Sequence, residues 1–142
     1  MELQVGVKAF IQNEEGNYLV MLRAKPYTGG IGPRWDIPGG RITPGEPILQ
    51  ALAREIQEET SMTMQGEPRI LYAQDILRNE GLHVVRLTFI AQAHGNVVLD
   101  SEEHSQFKWV TLAEFKTMDH DKYLIPVFES LKTYIATYES TH

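Results

Sequence analysis

The stretch RWDIPGGRITPGEPILQALAREIQEETSM, residues 34–62, combines a double glycine, a turn with prolines, and a helical run that ends in clustered glutamates. Proline at the first helical position and the apolar periodicity predict a helix over residues 47–61. At about 100° per residue, Glu55, Glu58 and Glu59 fall within one arc of that helix. Like charges at this spacing, near the negative end of the helix dipole, destabilise the helix slightly. The cluster therefore indicates either a solvated acidic face or a site for a divalent cation, which prefers hard oxygen ligands.

The composition of the chain limits its possible functions. Its 142 residues, 42% apolar and 23% charged, are typical of one globular domain. It has no long apolar run, no signal-peptide pattern at its start and no cysteine, so we expect a cytoplasmic protein without disulfides or thiolate metal sites. A net charge of −6 argues against nucleic-acid binding. We expect a single domain over residues 1–142 that is a monomer or homodimer and binds no membrane.

Strand and helix patterns alternate along the chain. The apolar periodicity predicts a last helix over residues 122–138. Runs rich in β-forming residues predict strands at 3–11, 18–23, 69–78, 82–93 and 106–110. Strands interleaved with two helices indicate an α/β (α+β) fold in which a mixed sheet is covered on both faces. The glycine- and proline-rich segment 24–34 is a loop of the kind that shapes a site more often than a core.

The run from Gly40 to Met62 resembles the Nudix box: G, five residues, E, seven residues, then R-E-U-x-E-E-x-G-U, where U is a bulky aliphatic residue. The matching residues are Gly40, Glu46, Arg54, Glu55, Ile56, Glu58, Glu59 and Met62. Ser61 replaces the glycine of the pattern, and serine can end the helix at a modest cost. The resemblance implies a Nudix-type mixed β-sheet sandwiched between helices. It also implies a Mg²⁺- or Mn²⁺-dependent pyrophosphohydrolase, acting on phosphorus-containing acid anhydrides, in which water attacks a phosphorus of a nucleoside triphosphate or related nucleoside diphosphate derivative.

The resemblance also assigns roles to the residues of the box. Glu55, Glu58 and Glu59 would be metal ligands, and the carbonyl of Gly40 would complete the coordination sphere. Arg54 would orient the catalytic glutamates, of which Glu55 and Glu58 are the leading candidates. A divalent metal would neutralise polyphosphate charge and activate a water molecule, which fits this chemistry independently of the family.

Two further acidic residues, Glu46 and Glu103, each have two explanations. Glu46 would fix the loop of the box by pairing with basic groups, although a first-turn acid favoured by the helix dipole explains it nearly as well. Glu103 lies six residues before Trp109, the spacing at which Nudix proteins often carry another metal ligand or the general base. The alternative for Glu103 is a plain polar hairpin loop. The histidines form no metal-ligand spacing, and we predict that they lie on the surface: His83, His94, His104 and His120.

Several residues are candidates for substrate binding. Arg23, at the end of a strand, and Arg34, just before the box, carry the guanidinium group that suits phosphate oxygens. Tyr27, in the glycine-rich loop, could stack on a nucleobase, although such residues more often pack locally. Lys25 and Arg41 are weaker candidates, and each is more simply explained as a surface charge.

The identity of the substrate is left open by the sequence. Downstream of the box, a proline marks ADP-ribose enzymes and a tyrosine marks dinucleoside polyphosphate enzymes, but Leu77, Asn79 and Glu80 occupy those positions. The compact chain favours a nucleoside triphosphate, and a pyrophosphatase of ADP-ribose, nucleotide sugars or dinucleoside polyphosphates is the alternative. A different class, a non-catalytic nucleotide-binding regulatory domain, usually loses box glutamates, and this chain retains them all.

Overall fold

A computed structural model describes residues 1–25 and 33–141, with side chains up to Tyr138 in the last helix. The strands are β1 (Glu2–Ile11), β2 (Tyr18–Arg23), β3 (Trp35–Asp36), β4 (Gly39–Arg41), β5 (Thr63–Asn79), β6 (Leu82–His94) and β7 (His104–Val110). The helices are α1 (Ile48–Thr60), α2 (Leu112–Thr117) and α3 (Ile125–Thr141), and a 3₁₀ turn (Lys122–Leu124) precedes α3. None of these helices is both long and apolar enough to cross a bilayer.

The strands form two sheets. A four-stranded mixed sheet has the order β4-β1-β6-β5, and a three-stranded antiparallel sheet has the order β3-β2-β7. Strands β1 and β6 are parallel, in register from Glu2 opposite Leu82 to Ile11 opposite Ala91. The α+β class with a mixed sheet between helices is thus confirmed. The two neighbouring strands β1 and β2 nevertheless belong to different sheets, because β4 and β6 already occupy both edges of β1.

The helices cover the sheets from opposite sides. On β1, Val7 and Ala9 belong to the core beneath α1, whereas Phe10 belongs to the core beneath α3. This alternation follows from the two-residue period of a strand. Leu52 and Ile56 of α1 are fully buried in the first core. The helix that carries the glutamates is therefore fixed by an apolar face, which leaves its other face for polar residues.

The ends of α1 agree with the sequence to within one residue. Pro47 is the N-cap in an extended conformation, with φ −61° and ψ 148°. Ser61 is the C-cap in the left-handed conformation, with φ 64° and ψ 6°, and its N–H donates to the carbonyl of Gln57 at 2.9 Å. The Ser61 hydroxyl donates to the carbonyl of Val98 at 2.9 Å. Serine therefore takes the position that the box pattern gives to glycine, and a side-chain hydrogen bond offsets part of the strain.

Several elements differ from their predicted extents. The strands β3 and β4 were not predicted, because two or three residues are too short to show a period. Strand β5 begins at 63 rather than 69, since the register shift between Gln65 and Arg69 interrupts the alternation. Helix α2 was also missed, although its capping box of Thr111 and Glu114 is visible in the sequence as TLAE. The predicted last helix begins as the 3₁₀ turn.

Candidate active and metal site

Two glycines of β4 bring the backbone against the end of α1. The N–H of Gly39 donates to Oε1 of Glu59 at 3.0 Å. A Cβ atom added to Gly40 would lie 2.5 Å from the carboxylate carbon of Glu55. Only glycine at position 40 therefore lets the Glu55 carboxylate approach this strand so closely.

Arg54 connects three of the glutamates. Its Nε donates to Oε2 of Glu46 at 2.7 Å, and its Nη2 donates to Oε1 of the same carboxylate at 2.9 Å. Its Nη1 donates to Glu55 at 2.9 Å and to Glu58 at 3.2 Å. The hydrogen bonds from Arg54, with one from the Thr43 N–H, lower the pKa of Glu46 to about 2. Glu46 precedes the N-cap and pairs with a basic group, rather than lying in the first turn of α1.

Glu59 is the most buried of the acidic side chains in the box, with 5% of its surface exposed. Burial raises the pKa of Glu59 to about 8, and the nearby Asp36 and Glu55 act in the same direction against Lys8 and the Gly39 N–H. Burial is also the main cause of the raised pKa of Glu55. The site thus holds carboxyl groups that resist ionisation without a cation, and a divalent ion would favour their charged form.

Glu103 approaches this cluster from the other sheet. Ligand atoms of Glu59, Glu103 and His104 all lie within 4.8 Å of one another. The carbonyl of Glu103 accepts a hydrogen bond from the N–H of Ala24 at 2.8 Å, which anchors the loop before β7. Glu102 is exposed and is not part of the group. The loop therefore has the register that the spacing to the tryptophan predicts, while the chemical role of Glu103 stays a prediction.

The prediction that His104 lies on the surface is wrong. Only 7% of His104 is exposed, and its Nδ1 atom is buried with no hydrogen-bond partner in the described part of the chain. Burial is the main cause of its lowered pKa. Strand β7 begins at His104, opposite Arg23, two residues earlier than predicted. Its position directly after Glu103 was the only sequence signal that could have marked it.

A cavity of about 410 Å³ opens between β4 and the hairpin of β5 and β6, and its lining includes Gly39 and Gly40, which lie against Glu59 and Glu55. Arg23 lines it, and so does the weaker candidate Arg41, while contact of either with substrate stays a prediction. Arg34 is not among the described lining residues and faces Asp119 at 3.8 Å. Tyr27 falls outside the described residues. The other lining residues are Gly6, Val7, Lys8, Asp36, Gly39, Gly40, Ile76, Arg78, Asn79, Leu82, Val84, Arg86 and Asp121.

The order of the elements and the glutamate cluster agree with a known family. A family model described as the NUDIX domain matches residues 2–130. The chain belongs to the Nudix family. The match to the Nudix box, with its glutamates placed around Arg54, is thus part of a domain of this family.

Relatives within the Nudix family carry names that refer to nucleotide hydrolysis. The human protein named 8-oxo-dGDP phosphatase NUDT18 is 33% identical over 97 residues, which is 68% of this chain and 28% of that protein. The chain thus spans little more than a quarter of that relative. The Salmonella arizonae protein named nucleoside triphosphatase NudI is 31% identical over 121 residues, covering 77% of this chain and 82% of that protein.

Solved Nudix structures share the fold over nearly the whole chain. The crystal structure of the MutT protein from Methanosarcina mazei Go1 has a TM-score of 0.78 at 29% identity, covering 93% of this chain and 94% of that one. The solution structure of the E. coli ORF135 protein has a TM-score of 0.81 at 22% identity, covering 96% and 94%. The second likeness supports the fold alone.

Proposed function

We propose that the protein hydrolyses a diphosphate linkage in a nucleoside triphosphate or a related nucleoside diphosphate derivative. The observation that carries this proposal is the meeting of Glu59 on α1 with Glu103 from the opposite sheet. Gly39, which donates to Glu59, also lines the basic cavity. Carboxylates at one end can hold cations, and basic groups at the other can hold phosphate. The names of NudI and NUDT18 support a nucleotide as the substrate.

The donor set fits Mg²⁺ or Mn²⁺. Buried Glu59 and the buried, unpartnered Nδ1 of His104 are groups that a bound cation would satisfy. A histidine nitrogen is accepted by Mn²⁺ more readily than by Mg²⁺. The residues that would hold the metal are Gly40, through its carbonyl, and Glu55, Glu58, Glu59 and Glu103, with His104 beside them as a further donor. When bound, the metal offsets phosphate charge and makes water more acidic.

The remaining residues of the cluster position these groups. Arg54 holds Glu55 and Glu58 in one orientation through its Nη1 atom, and Glu46 holds Arg54 through two hydrogen bonds. The attacking water must lose a proton, and an exposed glutamate that does not hold the metal, Glu58 or Glu103, would accept it.

Phosphate binding by Arg23 is supported by its place in the cavity wall. Contacts of Arg34 and Tyr27 with the substrate stay predictions from the sequence. The expectations of a cytoplasmic monomer or homodimer, with a small-molecule nucleotide as its partner and no nucleic acid or membrane, also stay predictions. The net charge of −6 supports the exclusion of nucleic acid.

The test is hydrolysis of a pooled set of nucleoside triphosphates, nucleotide sugars, ADP-ribose and dinucleoside polyphosphates with Mg²⁺ or Mn²⁺. We expect release of phosphate or pyrophosphate from at least one member. Glu58→Gln should lower turnover by orders of magnitude, whereas Glu67→Gln, at an exposed glutamate on β5, should not. If the folded protein hydrolyses no member and binds nucleotides equally well with and without Glu58, the regulatory-domain alternative is correct.

A further inference from the structure

The floor of the cavity is the face of the four-stranded sheet that α1 does not cover. Gly6 of β1 pairs with Arg41 of β4 on one side and with Arg86 of β6 on the other. Their Cα atoms are therefore about 10 Å apart, two strand spacings. A Cβ added to Gly6 would lie 3.8 Å from Nε of Arg41, so this guanidinium reaches over the glycine. The missing side chain at Gly6 leaves a gap that two arginines border.

The described lining of this cavity is strongly basic. It contains five cationic side chains and two carboxylates, a net charge of +3 in a chain whose net charge is −6. The two carboxylates are already engaged: Asp36 pairs with Lys8 at 2.7 Å, and Asp121 pairs with Arg78. Arg41 and Arg86 are the cations of this lining on which the inference rests.

Neither Arg41 nor Arg86 has a carboxylate within 4.0 Å among the described residues, and Asp36 acts on Arg86 only from a greater distance. Arg41 donates to the neutral amide oxygen of Gln4 at 2.6 Å. Nη1 of Arg86 is buried and has no hydrogen-bond partner among the described residues. Burial is the main cause of the lowered pKa of Arg41, and the charges of Arg86 and Arg78 add to it. The two guanidiniums thus lack a counter-charge that a ligand could supply.

The cavity floor extends away from the glutamates. Gly39, which donates to Glu59, pairs with Lys8, while Arg41 and Arg86 are at the level of Gly6, two residues farther along β1. Two residues correspond to about 7 Å along the strand. Beyond them the cavity reaches Asn79 and Leu82 at the β5–β6 hairpin. A ligand whose diphosphate lies at the glutamates would thus place a more distant group over the arginines.

We propose that Arg41 and Arg86 bind a phosphomonoester that the substrate carries in addition to the diphosphate that is hydrolysed. This inference rests on the proposed function. Arginine forks bind phosphate oxygens in pairs, and a dianionic group would offset most of the charge of +3. The described lining residues include no aromatic ring on which a base could stack. A neutral nucleobase would leave the guanidiniums without a counter-charge, so the charge favours the phosphate.

The test uses pairs of diphosphate compounds that differ by one phosphomonoester: NADP⁺ with NAD⁺, and coenzyme A with 3′-dephospho-coenzyme A. Affinities are measured by calorimetry in EDTA, so that no ligand is hydrolysed. We expect the phosphorylated member of at least one pair to bind about tenfold more tightly, the scale of a charge-assisted contact. Arg86→Gln should remove most of this preference. Arg69→Gln, at an exposed arginine on β5 outside the cavity, should leave it unchanged.

Three outcomes would overturn the inference. The wild-type protein could bind both members of each pair equally. Arg86→Gln could weaken both members by the same factor, which would mean that the arginine holds the hydrolysed diphosphate. ATP, GTP and CTP could differ in affinity by more than the members of each pair do, and Arg86→Gln could abolish that difference. This result would mean that the arginine binds a nucleobase.

A second variant and a second assay keep the test decisive. Thermal unfolding checks that each variant is folded, and Arg41→Gln replaces Arg86→Gln if the latter is not. Hydrolysis of the pooled substrates with Mg²⁺ is measured separately. A preference for the phosphomonoester without any hydrolysis would refute the proposed function and support the binding site. Hydrolysis without that preference would refute the binding site and support the proposed function.

Discussion

Glu59 should make the metal-free protein less stable as the pH rises. Burial raises its pKa to about 8 in the folded chain, from the ordinary value of 4.5. Between these two values the folded chain keeps a proton that the unfolded chain has released, so the free energy of unfolding falls with increasing pH. Between these two pKa values, each pH unit lowers the free energy of unfolding by about 1.4 kcal/mol. From pH 5.5 to 7.5 we therefore expect Glu59 to lower the free energy of unfolding by about 2–3 kcal/mol.

Urea denaturation in EDTA at the two pH values measures this effect. Glu59→Gln keeps an acceptor for the Gly39 N–H but cannot ionise. The variant should therefore not show the decrease in the free energy of unfolding that Glu59 causes between the two pH values. Glu67→Gln, at an exposed glutamate, should behave as the wild type. Mg²⁺ at pH 7.5 should stabilise the wild type more than Glu59→Gln, because binding to the folded state adds to its stability. An equal pH dependence of wild type and Glu59→Gln would refute this account of the site.

Three further predictions concern the loop of Glu103, the C-cap of α1 and the fork of Arg54. Glu103→Gln should reduce the turnover number by at least about tenfold, the scale of a lost metal ligand or base, whereas Glu102→Gln should change it little; equal effects would show that our register for the loop is wrong. Ser61→Ala should lower the free energy of unfolding by about 1 kcal/mol in urea titrations, because it loses a hydrogen bond and keeps the left-handed backbone. Ser61→Gly should stay within about 0.5 kcal/mol of the wild type, because relief of strain offsets the same loss, and a glycine variant less stable than the alanine variant would contradict this. Arg54→Lys should reduce both turnover and Mg²⁺ affinity about 10- to 100-fold, because an ammonium group cannot reproduce the guanidinium fork; wild-type values for both would show that the fork is unnecessary.

The sequence predicted α1 well because the signals for this helix are local. Pro47 and Ser61 mark its ends, and the apolar positions Leu52 and Ile56 define its buried face. The glutamates lie in an arc beside that face at fixed spacing, so their shared position on the helix followed from the helical period. The approach of Glu103 from another sheet could not be derived from a period. It was predicted from the resemblance, through the spacing to Trp109.

The features that the sequence did not show depend on contacts between distant strands. His104 is polar and lies beside an acidic loop, and only the pairing of β7 with β2 reveals that it is buried. Arg41 and Arg86 are separated along the chain. They lie on either side of Gly6 because β1 pairs with both β4 and β6. No local sequence pattern indicates that β4 and β6 both pair with β1. Pairing between distant strands therefore determines the cavity, whereas the local sequence pattern determines helix α1.

The parallel pairing of β1 with β6 sets the order in which the protein can fold during synthesis. Glu2 pairs with Leu82 and Ile11 with Ala91, so the partners are separated by 80 residues along the chain. Such distant contacts slow folding, because a long loop must close before they form. On the ribosome, β1 is synthesised before β6, and its edge stays unpaired until β6 has also left the exit tunnel. Strand β1 is then an aggregation hazard for the time in which the 80 residues that separate it from its partner are synthesised.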